Sequence, residues 1–183
     1  MSFQQPTTTH SSAACAVVAL GSNLAHEGES PAQIVIEAAK RLQSLSLSAP
    51  RLSSLYSTSA VGLGAGAPEF CNAIAIIEPA AALSAQELLD GLLTIELELG
   101  RERLQPRAGA SYASRTIDLD LIYCRNEIID SPTLQLPHPR AAERAFVLEP
   151  LAELWPDLVL PGQHSSVAAL LRALRLLVDI APL

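Results

Sequence analysis

The sequence predicts an α+β fold, with helices packed on a mainly antiparallel sheet, and three observations carry that expectation. Short β-branched runs and amphipathic segments alternate irregularly, without the regular βαβ rhythm of a doubly wound parallel sheet. Two strand-like stretches, "RLSSLYSTS" at 51–59 and "FCNAIAIIE" at 70–78, follow one another across the glycine-rich "AVGLGAGAP", as antiparallel neighbours do. At 183 residues and 49% hydrophobic content the chain suits one domain with a proper core.

Taken in order, residues 1–13 read as a mobile tail and 14–183 as the single domain. "CAVVALGSNL" predicts a buried strand over 15–20 that ends in the turn Gly21-Ser22-Asn23. Ser30 and Pro31 supply an N-cap and a first-turn proline for a helix of about 31–45, with Ile34, Ala38, Ala39 and Leu42 on its apolar face. The strands 51–59 and 70–78 pair across their long connection. "SAQELLDGLLTIELELG" opens with Ser84 and Glu87 in capping-box spacing and closes at Gly100, and Leu88, Leu92, Ile95 and Leu99 form one stripe. A polar loop over 101–114 leads into the strand "SRTIDLDLIY" at 114–123, and "NEIID" follows as a short ribbon. "LPHPR" is extended by its prolines, "AFVLEPLAELWP" is expected to break at Pro150 and Pro156, and "SSVAALLRALRLLVD" predicts a terminal amphipathic helix.

A net charge of -7 argues against nucleic acid as the main partner, because phosphate-backbone binding needs basic surface. The local distribution differs from the total. Lys40 is the sole lysine, and Arg101, Arg103, Arg107, Arg115, Arg125, Arg140 and Arg144 all fall between 101 and 144. Three widely spaced cysteines without CxxC spacing indicate neither a disulfide framework nor a zinc site, and a reducing cytoplasm is expected. The apolar run "CAVVAL" is too short for a membrane span. The oligomeric state is left open, and a monomer is compatible with the pattern.

Alternation along a strand places Ile117, Leu119 and Leu121 on one face and Asp118 with Asp120 on the other, with the aspartate Cα atoms roughly 6.5–7 Å apart. Such a pair is either the wet face of a strand or a ligand set for a hard cation such as magnesium. The arginines clustered around it favour phosphate chemistry, since guanidinium grips phosphate bidentately and keeps its charge. A P-loop is excluded because the only lysine lies in "EAAKRL", and "GLGAG" at 62–66 lacks the spacing of a dinucleotide fingerprint. His138, fixed between prolines, is either a structural hydrogen-bond partner or a nucleotide contact. No nucleophile motif is present.

In order along the chain, "ALGSNL", "SSLYSTSAVG", "PEFCNAIAIIE", "IELELGRERL", "RTIDLDLIY", "LPHPR" and "RAFVLEPLAEL" resemble the 6-hydroxymethyl-7,8-dihydropterin pyrophosphokinase family, from about residue 15 to 162. The resemblance implies a ferredoxin-like sandwich and transfer of diphosphate from ATP to a pterin alcohol, with release of AMP, in folate biosynthesis. It implies two Mg2+ ions with ATP on Asp118 and Asp120, and phosphate contacts from Arg101, Arg103 and Arg115. Glu96, Leu121, His138 and Arg144 fall at ATP-site positions. Thr58, Ser59, Val61, Phe70, Asn72, Tyr112 and Phe146 fall at pterin-site positions. The partners so implied are ATP and a pterin alcohol, with no nucleic acid and no membrane. The chain carries Ala113-Ser114 where the family usually has Gly-Pro, Thr133 where some members carry an arginine, and Ser59 for a common proline. A non-catalytic pterin- or nucleotide-binding relative is the alternative reading, and a DxD-dependent nucleotide-sugar transferase a third.

Overall fold

The structure, a computed structural model, describes residues 12–58, 68–101 and 115–179. After a 3-10 turn at Ser12–Ala14 come β1 (Ala16–Ser22), α1 (Pro31–Arg41), β2 (Arg51–Leu52), β3 (Tyr56–Thr58), β4 (Phe70–Ile77) and α2 (Ala85–Glu98). They are followed by β5 (Asp118–Cys124), β6 (Ile129–Asp130), β7 (Gln135–Leu136), α3 (Ala145–Leu154) and α4 (Val167–Asp179).

The main sheet runs β2-β4-β1-β5, with β3 also on β4, and every pairing is antiparallel. This is the strand order of a ferredoxin-like sandwich, as the resemblance implies, and β2 and β3 both pair with β4 across the connection, as the pattern predicts. Alternation along the strands builds two cores. Val18, Leu20, Ala75, Ile77, Leu119 and Leu121 point to α1 and α2, while Val17, Ile74, Ile76, Ile122 and Tyr123 point to α3 and α4. A register shift between Val17 and Val18 opposes Val17 to Tyr123 and Val18 to Leu121, so Ile122 is an extra residue and β5 carries a bulge.

Helices α1 and α2 both start as their sequences foretell. Ser30 with Gln33 and Ser84 with Glu87 form reciprocal capping boxes, and Leu88, Leu92, Ile95 and Leu99 are all buried. Helix α1 passes into a 3-10 turn over Leu42–Leu45. Gly100 ends α2 with φ +79°, and the His26 imidazole occupies the place where a Cβ at that position would stand. The loop entering α1 is thereby packed against the start of the arginine segment.

Three expectations need correction. Gly21 and Ser22 do not open a turn but carry β1 on to Ser22, paired with Asn72 and Cys71 of β4. Pro150 does not break its segment but lies inside α3, which runs on to Leu154. The ring forfeits one backbone bond, a cost of about 3 kcal/mol. Burial of Val147, Leu148 and Leu151 on the same face, at roughly 1.5–3 kcal/mol each, exceeds it. Of "LPHPR" only Leu136 lies in a strand, at the end of β7, and Pro139 and Arg140 form a turn leading into a 3-10 helix at Ala141–Glu143.

Arg125, at φ +49°, fastens the β4–α2 connection to the end of β5 by donating to the carbonyls of Pro79, Ala80 and Leu83 at 2.6–3.0 Å. Arg125→Ala is expected to lower unfolding free energy by about 1–3 kcal/mol. It should leave ligand binding intact, which urea unfolding alongside a binding titration would check.

Candidate functional site

β5 lies at the edge of the sheet, and two contacts blunt its outer side. The Leu119 N–H donates to the Glu96 carboxylate at 2.7 Å, and the Ile122 carbonyl accepts from the His138 N–H at 2.9 Å. These contacts bring α2 and the 136–140 turn up to the strand that carries the two aspartates. Asp118 is the first residue of β5, not an interior one, and both carboxylates are on the α3/α4 side.

Asp118 is held by two arginines. Arg101 Nη1 lies 2.6 Å from its Oδ1, and Arg115 pairs with its Oδ2. Arg101 also donates to Glu96, which is 1% exposed and thus sits beneath the arginine in the α2–β5 contact. Arg144 Nη1 stands 3.9 Å from Asp120 Oδ2, and the same guanidinium lies 5.4 Å over the Phe146 ring. Burial first, and then the Asp118 charge, raise the pKa of Asp120 above its ordinary value, against the opposing pull of His138, Arg144 and Arg115. Its contribution to stability is complete below the unfolded carboxylate pKa and is lost as pH rises through the elevated folded one.

Burial lowers the pKa of His138, with the Arg144 charge adding to it and Asp120 opposing. The neutral ring accepts the Arg140 N–H on Nδ1 at 3.2 Å, which leaves the proton on Nε2.

The other half of the site borders β4. Phe70 begins that strand opposite Thr58, and two residues on Asn72, 6% exposed, donates its amide to Thr58 Oγ1 at 2.7 Å. In register Asn72 opposes Gly21, and Gly21 opposes Asp118 on the other side of β1. Amide and carboxylates thus stand in one row across three strands.

The structure therefore brings together Arg101, Arg115, Asp118, Asp120, His138, Arg144 and Phe146, with Thr58, Phe70 and Asn72 across β1. It does not bring the Leu121 side chain, which is buried in the core on the α1/α2 face. Arg103, Ser59, Val61 and Tyr112 lie outside the described residues, as does Arg107. Thr133 donates to Gln86 on α2. Sequence reasoning missed Asn23. Its Oδ1 accepts the Arg115 N–H at 2.8 Å, and the N–H groups of Asn23 and Leu24 both reach the Arg115 carbonyl at 3.2 Å. An asparagine directly after the Gly-Ser end of β1 was the available signal.

A cavity of about 550 Å³ lies elsewhere, between α1 and α2. Its charged residues satisfy one another, Glu37 with Lys40 and Arg41, and Glu98 with Arg41. Among the described residues no group of three or more His, Cys, Asp or Glu could hold a metal ion, and no helix is long and apolar enough to cross a membrane.

Carboxylates ringed by arginines, one buried amide and two aromatic rings on a ferredoxin-like sandwich define a class: a domain built to hold polyphosphate next to a flat heterocycle. The family model for 7,8-dihydro-6-hydroxymethylpterin-pyrophosphokinase matches residues 17–156. The 2-amino-4-hydroxy-6-hydroxymethyldihydropteridine pyrophosphokinase of Pseudomonas aeruginosa is 42% identical over 148 residues, 80% of this chain and 85% of that one. Its Haemophilus influenzae counterpart is 40% identical over 150 residues, 81% and 86% of the two chains. A solved structure of an HPPK-DHPS in complex with substrates superposes with a TM-score of 0.62 at 11% identity. The match covers 87% of this chain and 43% of that one, and supports the fold alone. The chain belongs to the 7,8-dihydro-6-hydroxymethylpterin-pyrophosphokinase family.

Proposed function

We propose that the protein transfers diphosphate from ATP to the hydroxymethyl oxygen of 6-hydroxymethyl-7,8-dihydropterin, with release of AMP. The observation that supports this reading is the row Asn72–Gly21–Asp118, which sets an amide suited to a heterocycle edge and an arginine–carboxylate cluster suited to phosphate on either side of β1.

Asp118 and Asp120 fit divalent cations, being neighbouring hard oxygen donors on one face of β5. Magnesium held there would neutralise phosphate charge and polarise phosphoryl oxygens. The remaining work falls to the chain. Arg101 and Arg115 converge on the Asp118 carboxylate and are placed to share phosphate oxygens that arrive there, stabilising charge as the bond to AMP breaks. Glu96 and Asn23 hold those two arginines from behind. Arg144 lies over Phe146 next to Asp120 and is placed to bridge the phosphates and the acceptor. Phe70 and Phe146 offer ring faces, and the Asn72 amide offers both a donor and an acceptor to a pterin edge. No side chain here is a dedicated general base. The rate comes from positioning and charge stabilisation.

The test is to incubate the protein with ATP, magnesium and the pterin alcohol and follow AMP. AMP that requires all three supports the reading, and folded protein that forms none overturns it, leaving a non-catalytic relative of the same fold.

A further inference from the structure

The edge of the sheet remote from β5 is interrupted. Leu52 of β2 opposes Ala75, and the next N–H, that of Ser53, reaches the Ile74 carbonyl at 2.9 Å. When the pairing resumes, Tyr56 of β3 opposes Asn72. Ser54 and Leu55 therefore stand against Ala73 alone, a one-residue bulge in the edge. Ser53 closes the break locally, its Oγ accepting the Ile74 N–H at 3.0 Å and donating to the Ser54 carbonyl at 2.8 Å. The bulge sets the register of everything after it. Thr58 opposes Phe70, and its Oγ1 accepts the Asn72 amide at 2.7 Å. A slip of β3 by one residue, erasing the bulge, would put Leu55 opposite Asn72 and turn Thr58 to the other face of the sheet.

A carboxylate from another element holds the bulge. Glu153, in the last turn of α3, accepts the Ser54 N–H on both oxygens at 3.0 and 3.1 Å, the Ser54 hydroxyl on Oε1 at 3.1 Å and the Tyr56 hydroxyl on Oε2 at 3.1 Å. Hydrogen bonds to an ionised acceptor are stronger than those between neutral groups. The carbonyl of the next residue, Leu154, accepts from Arg51 Nη2 at 3.2 Å, so the end of α3 is fastened on both sides of the break. Phe146 and Glu153 are seven residues apart in α3. They therefore lie on one face of that helix, two turns and roughly 10 Å apart. One helix brings Phe146 to the site at its start and grips the bulge at its end.

We propose that Glu153 is a positioning residue for the transfer reaction: through the bulge it fixes the register of β3, so that Thr58 stays on Asn72 while the same helix holds Phe146. The proposal rests on the function proposed above and goes beyond it, because Glu153 acts through a strand and not on a ligand. It ties together two walls of the site that come from distant parts of the chain.

The test measures by calorimetry the binding of a non-hydrolysable ATP analogue with magnesium, and then of 6-hydroxymethyl-7,8-dihydropterin to protein already holding that analogue. The variants are Glu153→Ala, Tyr56→Phe, Thr58→Ala and the double variant Glu153→Ala with Thr58→Ala, and circular dichroism checks that each is folded. Glu153→Ala should weaken the pterin by about tenfold or more and leave the nucleotide within about twofold of the parent protein. Tyr56→Phe removes one donor and keeps the rest, so it should move the pterin in the same direction by less, and it carries the test if Glu153→Ala does not fold. With Thr58→Ala in place, Glu153→Ala should cost the pterin little more, a coupling that general loosening of the sheet would not produce. Backbone NOEs between Tyr56 and Asn72 and between Ser57 and Cys71 read the register itself, and should be present in the parent protein and lost in Glu153→Ala. Pterin binding unchanged in Glu153→Ala, both ligands weakened alike, or these NOEs retained would overturn the proposal. If the parent protein binds no pterin, the functional reading falls, and the NOEs alone decide whether Glu153 holds the strand.

Discussion

Asp120→Asn is expected to reduce diphosphate transfer to near background, a loss of roughly a thousandfold or more, while the fold survives. The substitution is nearly isosteric but removes the charge that the site offers to a cation. Stability should move the other way. Burial and the neighbouring Asp118 push the pKa of Asp120 up, so its ionised form burdens the metal-free protein once pH has risen through that elevated pKa, and there the variant should melt higher without metal. Magnesium should raise the Tm of the parent protein and have much less effect on the variant. Calorimetric melting with and without magnesium, alongside an AMP assay, checks both halves. Near-normal turnover in Asp120→Asn would mean that the paired carboxylates are not the metal ligands.

Glu96→Ala is expected to have the second-largest effect, and on stability as much as on turnover. At 1% exposure the carboxylate answers both the Leu119 N–H and the Arg101 guanidinium. Truncation leaves a buried backbone donor on an edge strand and an arginine that keeps Asp118 but loses its second carboxylate. The expected cost is about 2–4 kcal/mol, or a fall in Tm on the order of 10 °C for a chain of this size. Glu96→Gln separates the two duties. It keeps an oxygen for Leu119 and removes the charge that fixes Arg101, so it should retain most of the stability and still lose turnover. Equal stability in Glu96→Ala and the parent protein would show that the β5 edge does not depend on this residue.

These two residues also show how differently a site is written into a sequence. Asp118 and Asp120 could be read because their signal is local: strand alternation puts them on one face, and aspartate is unexpected there. The capping boxes of α1 and α2 and the stripe from Leu88 to Leu99 were legible for the same reason. Glu96 is different. Its reach to Leu119 and Arg101 depends on how α2 docks against the sheet edge, which no spacing reveals. Its place in the site came from family resemblance, and the contact that explains its burial came from the structure. Pro150 was misread because a local rule about helix interiors was outweighed by burial of the face around it. Leu121 was taken from the resemblance as an ATP-site position, although alternation alone already put its side chain on the opposite face. Gly21 carries no chemistry of its own and acquires meaning only from the register that sets it between Asn72 and Asp118.

The central claim is that phosphorus moves as a diphosphate across β1 from ATP to the alcohol. Mass spectrometry of a single reaction mixture containing the protein, ATP, magnesium and 6-hydroxymethyl-7,8-dihydropterin tests it most directly. The account predicts one AMP for each pterin that has gained two phosphoryl groups. ADP with a singly phosphorylated pterin, or AMP formed without any change in the pterin, would contradict it.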